Sequence, residues 1–289
     1  MQDMTPLLTT TRIAPTPSGY LHLGNLASFL YTQGLARLFD ARLILRIDDL
    51  DKDRFRSEYV QDILDTLDFA GINCNQEERT HRTRLKLYAD ALDHLRKKGL
   101  VYACSCTRKR SDNEATNCSC MERNLSLDQP GIQWRLLPFA PEYIEIIDIK
   151  SGRQVHPFPS EMNALQVRKK NGDPSYHLAS VVDDCHFGIT LIVRGMDLLP
   201  SSLAQIHLAD LLGETNFRTC VFDHHPLIVD KENQKMSKSA NSTSIHWMRQ
   251  QRIGIEEICN RIANHVELGE PVQSFRALEK ALVQLWYAQ

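Results

Sequence analysis

The sequence predicts an α/β fold, a doubly wound parallel sheet with a small inserted α+β subdomain and a short C-terminal helical segment. Strand and helix patterns alternate over the first hundred residues and again after residue 175. Between these parts, cysteine-bearing turns and short alternating strands replace the alternation. We therefore predict one catalytic-type domain from 1–100 plus 175–240, an inserted subdomain at 101–174, and a helical segment at 241–289.

Each element of the first part has a local signal. The predicted elements are strand 10–14, helix 26–39, strand 43–47, helix 58–69 and helix 84–98. The fourth of these has its apolar residues at the spacing of one helical face: Val60, Ile63, Leu64 and Leu67. Ser57 is predicted as the N-cap of this helix and Gly71 as its C-terminal stop, because these residue types favour those positions.

The later elements follow in the same way. A Ser-Gly pair at 151–152 predicts a hairpin turn between strands 143–149 and 153–155. After the predicted insert come helix 176–184, strand 189–193, helix 201–212, strand 219–229 and helices 256–265 and 274–287. Parallel strands joined by helices place their carboxyl ends along one edge, so a ligand crevice is expected there.

The stretch from Ala14 to Asn25, APTPSGYLHLGN, predicts a phosphate-binding turn. It leads from the first strand into the first helix, whose free N–H groups and positive dipole end attract anions. We expect His22 to donate to phosphate oxygens and Gly24 to let a nucleotide approach the backbone. A short HLGN stretch also arises by chance, so a second motif is needed before it indicates a nucleotide site.

A second motif is the stretch from Lys235 to Ser239, KMSKS, in a polar loop after the predicted strand 219–229. The ammonium groups of Lys235 and Lys238 could stay in contact with a triphosphate while it reacts. A lysine- and serine-rich run is more often a solvated loop. The two stretches together, in this order and each beside a strand, favour one shared ATP site.

At these residues the sequence resembles the class I aminoacyl-tRNA synthetases, in which the stretches are the HIGH-type and KMSKS-type signatures. Three further stretches resemble the glutamyl branch of that class: LILRIDDLDKDR at 43–54, YHLASVVDDCHFGITLIVRGMDLL at 176–199 and HHPLIVDKENQKMSKS at 224–239. The resemblance implies a Rossmann-type catalytic domain that uses ATP with Mg²⁺ to activate L-glutamate. It assigns catalysis to His22, Lys235 and Lys238 and ATP binding to His22, Gly24, Asn25 and Lys238.

The same resemblance implies a glutamate site made of Arg12, Ala14, Pro15, Thr16, Asp48, Tyr176 and Arg194. Two guanidinium groups, from Arg12 and Arg194, could hold the substrate's side-chain carboxylate. Strand-end ion pairing is the alternative for both, and a core aromatic for Tyr176. The family's RIED motif is RIDD here, so Asp48 is one methylene shorter than the expected glutamate. We expect weaker or altered amino-acid binding. Asp183 and Asp184 are expected to be structural partners of nearby arginines.

Within the branch, the chain resembles the short glutamyl-Q enzymes, which attach glutamate to queuosine in a tRNA anticodon. Only 50 residues follow Ser239 (289 minus 239), too few for the anticodon-binding region of a full glutamyl-tRNA synthetase. The resemblance implies the anticodon stem-loop of tRNA(Asp) as partner. A truncated glutamyl-tRNA synthetase and a non-catalytic RNA-binding paralogue stay open as alternatives.

Four of the eight cysteines form two CxC turns: Cys104, Cys106, Cys118 and Cys120. Four thiolates from two tight turns could close a tetrahedral zinc site, whereas reduced and unligated thiols are the alternative. The glutamyl-Q enzymes place zinc here with CxC, a Tyr and a Cys, and Cys118 stands at the tyrosine's position. The resemblance thus implies one structural Zn²⁺ with four cysteine ligands.

Composition excludes some classes of protein. The formal net charge of −2 argues against indiscriminate nucleic-acid binding, although a local basic face is possible at 79–84, 108–110 or 168–170. No apolar run reaches membrane-spanning length and no signal peptide is evident, so we expect a cytoplasmic protein that does not bind membranes. We expect a monomer.

Overall fold

The computed structural model describes residues 7–75, 80–106, 118–228 and 244–287. These residues form a six-stranded sheet, a separate three-stranded sheet and helices on both faces of the larger sheet. Among them, no helix is long and apolar enough to cross a membrane.

The six-stranded sheet carries the strand ends that matter for function. Its strands, in spatial order, are β2 (Arg42–Leu45), β1 (Thr10–Ile13), β8 (Leu191–Gly195), β9 (Val221–His225), β5 (Tyr143–Asp148) and β6 (Gly152–Pro157). The first five are parallel, and β6 pairs antiparallel with β5. The sheet is therefore mixed, because the hairpin adds an antiparallel edge to the predicted parallel sheet.

The smaller sheet is antiparallel and consists of β3 (Val101–Cys104), β4 (Gln133–Leu136) and β7 (Gln166–Arg168) in that order. The segment predicted as an insert, 101–174, supplies all three of these strands and also the β5–β6 hairpin of the larger sheet. One stretch of the sequence thus contributes strands to both sheets. The residue pattern predicted a separate subdomain here and did not indicate that β5 and β6 join the larger sheet.

Eight helices complete the described part of the chain: α1 (Leu23–Leu38), α2 (Ser57–Phe69), α3 (Leu85–Lys97), α4 (Tyr176–His186), α5 (Leu199–Leu212), α6 (Ile245–Gln250), α7 (Ile255–His265) and α8 (Phe275–Trp286). Alternate residues of β8 point to opposite faces: Leu191 and Val193 pack with α1 and the C-terminal helices, and Ile192 packs with α3, α4 and α5. Helices on both faces confirm the predicted doubly wound α/β architecture.

Most predicted helices and strands agree with the observed ones to within a few residues. Ser57 is an exception in its role, because it is the first residue of α2 while Arg56 occupies the N-cap without a side-chain hydrogen bond. Gly71 and Gly99 follow the ends of α2 and α3 with φ of +66° and +65°. Glycine tolerates this left-handed conformation, which explains why these helices stop there.

The C-terminal helix α8 packs closely against α1, the helix that follows the first motif. Gly34 makes this possible, because a Cβ atom there would lie 2.5 Å from Cγ2 of Val283. The buried carboxylate of Glu279 accepts hydrogen bonds from Gln33 (2.8 Å) and Arg37 (2.9 Å) on α1. The predicted C-terminal segment is therefore part of the main core.

We expect Gly34→Ala to destabilise the protein. The added methyl overpacks the α1–α8 contact, which costs about 1–3 kcal/mol, while the better helix propensity of alanine returns about 1 kcal/mol. Thermal unfolding should show a lower midpoint for Gly34→Ala, and adding Val283→Ala should restore part of the loss. A higher midpoint for the single variant would contradict this packing.

Candidate functional site

A cavity of about 240 Å³ lies at the carboxyl ends of β1, β8 and β9. Its lining includes most of the predicted site residues, namely Arg12, Ala14, His22, Gly24, Asn25, Asp48, Tyr176 and Arg194. Thr16 lines a second, adjoining cavity. Pro15 lines neither, but its carbonyl accepts the backbone N–H of Asp48 at 2.9 Å. The fold therefore brings together residues from positions 12 to 194 in one place.

The first motif forms the start of α1. His22 is the N-cap, and its Nδ1 accepts the backbone N–H of Asn25 at 3.3 Å while the Asn25 side chain accepts the His22 N–H at 3.1 Å. This reciprocal arrangement fixes the first turn of the helix. Gly24 is constrained as well, because a Cβ there would lie 3.0 Å from Cε1 of the His22 ring.

Lys235 and Lys238 of the second motif lie outside the described residues. The residues that flank this stretch lie beside the first motif. Ser244 forms a β-bridge with His22, and the N–H of Ile245 donates to the carbonyl of Leu21 at 2.8 Å. On the other side, Ile228 lines the small cavity together with Gly24. Ile228 and Ser244, the described residues on either side of this stretch, therefore both lie beside the first motif.

Arg12 and Arg46 are paired by one aspartate of α4. Asp184 accepts from Nε of Arg12 at 3.1 Å and from Nη1 of Arg46 at 2.7 Å. Burial alone would raise the pKa of Asp184, but the positive charges of Arg12, Arg46 and Arg194 lower it below its ordinary value. Asp48 accepts from Nε of Arg46 at 2.9 Å. These charges hold one another in a fixed geometry, as expected for Asp184.

Arg194 differs from these arginines because its hydrogen-bond partners are neutral. Its Nη1 donates to Oε1 of Gln205 at 2.8 Å and to Oγ of Ser202 at 3.2 Å, and the residue is only 5 % exposed. Among the described residues, no carboxylate lies within ion-pairing distance of it. Burial lowers its pKa. A buried guanidinium without a carboxylate partner is a binding site for an anion.

The field around Arg194 is positive. Burial and the charge of Arg194 lower the pKa of both His177 and His224 to about 4. Both imidazoles are therefore neutral near pH 7. His224 Nε2 lies 2.8 Å from Oγ of Ser202, so it supports a partner of Arg194. Sequence reasoning missed Ser202, Gln205 and both histidines, since no motif links them to Arg194.

A second polar cluster lies behind Asp48. Asp183 accepts from Nε and Nη2 of Arg84, at 2.7 and 3.1 Å, and from the hydroxyl of Tyr88 at 2.7 Å. His81 Nε2 lies between Asp183 (3.2 Å) and Asp48 (3.4 Å). Burial lowers the pKa of His81, but hydrogen bonds to Asp183 and Asp49 outweigh this and raise it. His81 was not predicted as a site residue, and Arg84 is structural rather than part of a basic face.

The adjoining cavity has a volume of about 960 Å³ and separates α4 from the three-stranded sheet. Asp48 and Tyr176 line both cavities, so the two spaces meet at these residues. Arg135, Lys169 and Lys170 add positive charge to the wall. Nδ1 of His177 and Nε of Arg135 are buried there without a hydrogen-bond partner among the described residues. The larger cavity can therefore hold a large polar ligand next to the small cavity.

The four predicted cysteines come together at one side of this larger cavity. All four sulfur atoms lie within 4.8 Å of one another. The distances are 3.7 Å from Cys104 to Cys118, 3.5 Å from Cys106 to Cys118 and 3.6 Å from Cys106 to Cys120. A tetrahedral ion with Zn–S bonds of about 2.3 Å has sulfur atoms about 3.8 Å apart. The donor set and its spacing therefore fit a zinc ion.

The cysteine cluster is also connected to the cavity wall. Nε2 of Gln133 donates to Sγ of Cys104 at 3.3 Å, and Nζ of Lys170 donates to the carbonyl of Ser105 at 2.7 Å. Both Gln133 and Lys170 line the larger cavity. The cluster thus fixes side chains that a ligand in this cavity would meet.

We expect Asp183→Asn to be strongly destabilising. The substitution leaves Arg84 buried without its counter-charge, and breaking a buried pair in this way typically costs about 3–5 kcal/mol. The matched control is Asp128→Asn, because Asp128 makes a similar two-point pair with Arg96 (2.7 and 2.5 Å) on the surface. Urea unfolding should show a large loss for the first variant and little change for the second.

The same pair has a pH signature. Burial raises the pKa of Asp183, but His81, Arg84 and Arg46 outweigh this and lower it below 3.8. A carboxyl with a lowered pKa stabilises the fold above its unfolded pKa, and this stabilisation is lost as the pH falls through the folded value. The stability of Asp183→Asn should therefore fall less steeply below pH 4 than that of the wild type. Equal slopes would show that folding does not lower the pKa of Asp183.

Comparison with known proteins gives a consistent result. The family described as tRNA synthetases class I (E and Q), catalytic domain, matches residues 9–128 and 144–266. The chain is 35% identical over 247 residues to the glutamyl-Q tRNA(Asp) synthetase of Cupriavidus metallidurans, which covers 81% of this chain and 78% of the relative. It is 36% identical to the enzyme of that name from Pseudomonas fluorescens, over 80% of this chain and 76% of the relative.

Longer relatives match as well. The chain is 32% identical to glutamate–tRNA ligase 2 of Cereibacter sphaeroides over 96% of its own length but 65% of the relative. The crystal structure of a glutamate tRNA ligase from Elizabethkingia meningosepticum has a TM-score of 0.72 at 21% identity, covering 94% of this chain and 64% of that one, and shows the same fold. The resemblance predicted from the motifs is confirmed. The chain belongs to the class I aminoacyl-tRNA synthetases of the glutamyl and glutaminyl type, a family of ligases, and the glutamyl-Q enzymes are among its relatives.

Proposed function

We propose that this protein activates L-glutamate with ATP and transfers the glutamyl group to queuosine in the anticodon of tRNA(Asp). The observation that carries the proposal is the buried guanidinium of Arg194, which has neutral hydrogen-bond partners at the end of β8. Such a group suits the side-chain carboxylate of glutamate. The relatives named glutamyl-Q tRNA(Asp) synthetase support the choice of acceptor.

The small cavity has two halves with different chemistry. Arg194, Arg12, Asp48 and Tyr176 lie on the half near β1 and β8, whereas His22, Gly24 and Asn25 lie on the half at the start of α1. Asp48 supplies the anion for the glutamate ammonium, and Arg194 supplies the cation for its side chain. Arg12 positions Asp184, and so supports the charge arrangement around the substrate. The phosphates of ATP, with Mg²⁺, would lie at the start of α1.

In the first step a carboxylate oxygen of glutamate attacks the α-phosphorus of ATP, which releases pyrophosphate and leaves glutamyl adenylate. The nucleophile is already an anion, so the protein needs no general base. It must align the two reactants and stabilise charge on the phosphates. We assign this task to His22 and the start of α1, together with Lys235 and Lys238.

The second step requires an RNA nucleophile beside the adenylate. The larger cavity suits it, because it opens onto the small one at Asp48 and Tyr176. A hydroxyl of the acceptor attacks the glutamyl carbonyl carbon, and AMP leaves. Lys169, Lys170 and Arg135 offer positive charge to the RNA backbone. We propose L-glutamate and this tRNA as the partners of a monomeric protein.

A pyrophosphate-exchange assay with glutamate and ATP tests the proposal. We expect exchange without tRNA, as the resemblance to the glutamyl-Q enzymes implies. Exchange that needs tRNA would favour a glutamyl-tRNA synthetase that charges a tRNA 3′ end, an alternative supported by the match to glutamate–tRNA ligase 2. No exchange in either condition would leave a non-catalytic RNA-binding protein.

Arg194→Gln is the matched variant for this assay. Loss of a buried charge partner of the substrate typically costs 2–5 kcal/mol, so the KM for glutamate should rise on the order of 100-fold. The unfolding temperature should stay the same or rise, because the buried charge has no carboxylate partner among the described residues. An unchanged glutamate KM would refute the assignment of Arg194.

Asp48→Glu tests the departure from the family motif. Asp48 is 8 % exposed and is held by Arg46, so its short side chain sets the distance to the substrate ammonium. We expect the longer carboxylate to lower the KM for glutamate several-fold in exchange assays, with the KM for ATP unchanged. Equal glutamate KM values in the two proteins would show that Asp48 does not limit binding.

We propose one structural Zn²⁺ at Cys104, Cys106, Cys118 and Cys120. Elemental analysis of the purified protein should give about one zinc per chain, and Cys118→Ser should lose most of it. Cys74→Ser is the control, because Cys74 lies outside the cluster. Wild-type protein without zinc, and with all four thiols open to a thiol reagent, would contradict the site.

A further inference from the structure

His225 occupies a constrained position in the wall of the small cavity. It is the last residue of β9 and lines the cavity near Ser28, Leu227 and Ile228. One face of its ring stacks on Trp286, with ring centroids 4.9 Å apart and planes at 7°. Tyr31 meets the ring edge-on at 5.9 Å. The ring therefore cannot rotate without displacing two aromatic side chains.

The hydrogen bonds of His225 fix its protonation as well. Its Nδ1 lies 2.8 Å from the carbonyl oxygen of Pro226, which can only accept, so Nδ1 carries the hydrogen. Its Nε2 then accepts from the hydroxyl of Ser28 at 2.8 Å. Burial keeps the pKa of His225 below its ordinary value. The cavity is thus lined at this point by a neutral, rigid aromatic ring.

The C-terminal helix provides the support for this ring. Trp286 lies in the last turn of α8, and its carbonyl accepts a hydrogen bond from Nζ of Lys150 at 2.7 Å. Tyr31 of α1 packs edge-on against the Trp286 ring at 5.0 Å. The hydroxyl of Tyr31 in turn donates to the buried carboxylate of Asp223 on β9. Residues from α1, β9 and α8 therefore hold the ring from behind.

We propose that His225 contacts the adenosine part of ATP and that Trp286 is a positioning residue for it. The inference rests on the proposed function, since it needs ATP in this half of the cavity. The His22 ring and the free N–H groups at the start of α1 provide the hydrogen-bond donors that phosphates require. A neutral ring beside Leu227 and Ile228 provides instead a flat, apolar surface that suits an aromatic base. The C-terminal helix thereby contributes to nucleotide binding without touching the nucleotide.

The test compares Trp286→Leu, which keeps apolar bulk but removes the stacked ring, with Trp286→Phe, which keeps a ring. We expect Trp286→Leu to raise the KM for ATP about fivefold, with the KM for glutamate and kcat unchanged. Trp286→Phe should keep the KM for ATP close to the wild-type value, because it keeps a ring at this position. His225→Ala should raise the KM for ATP at least as much. The double variant should be no worse than His225→Ala, because Trp286 acts through that ring.

Leu282→Val is the control, because Leu282 is buried in α8 within the core but is not part of the aromatic stack. It should lower the unfolding temperature without changing the KM for ATP. Equal ATP effects in Leu282→Val and Trp286→Leu, or additive effects of Trp286→Leu and His225→Ala, would overturn the inference. ATP affinity measured by calorimetry keeps the test independent of turnover. Wild-type protein that binds ATP but shows no exchange would refute the proposed function and leave this inference testable.

Discussion

The adjacent aspartates of α4 are the electrostatic centre of this structure. Asp183 and Asp184 are both fully buried, and between them they pair with Arg12, Arg46 and Arg84. Each arginine comes from a different element, so the two carboxylates tie β1, the residues after β2 and the start of α3 to α4. Removing either carboxylate would leave a buried cation without compensation, which is among the most costly changes in a folded protein.

This arrangement also shapes the proposed substrate site, because it does not balance all of the charge. Arg12 and Arg46 are matched by Asp184 and Asp48, whereas the hydrogen-bond partners of Arg194 within the described part of the chain are the neutral Ser202 and Gln205. The neighbouring histidines are neutral, so they neither compete for an anion nor add charge. A site of this kind favours one carboxylate in one orientation, since any other placement leaves the guanidinium unpaired.

The two cavities divide the proposed reaction in space. The small one has the chemistry for an amino acid and a nucleotide, and the larger one adjoins it at Asp48 and Tyr176. The wall of the larger cavity is held by the three-stranded sheet and by side chains bonded to the cysteine cluster. The C-terminal helix supports the opposite side through Gly34, Glu279 and Trp286. The three-stranded sheet with its cysteine cluster and the C-terminal helix therefore both contribute to the site by fixing its walls.

The sequence by itself determined the alternation of strands and helices, the HLGN turn at the start of α1 and the pairing of the cysteine turns. These are local features, set by residue spacing and by turn and cap chemistry within a few positions. The tertiary structure decided which charges meet. Nothing near Arg194 in the sequence indicates that its partners are neutral, and nothing near His81 indicates that it bridges Asp48 and Asp183. It also decided that strands 143–157 join the main sheet and that Trp286 supports His225. Such contacts join residues far apart in the chain, since 138 positions separate Arg46 from Asp184 and 246 separate Gln33 from Glu279, so only the folded chain can define them.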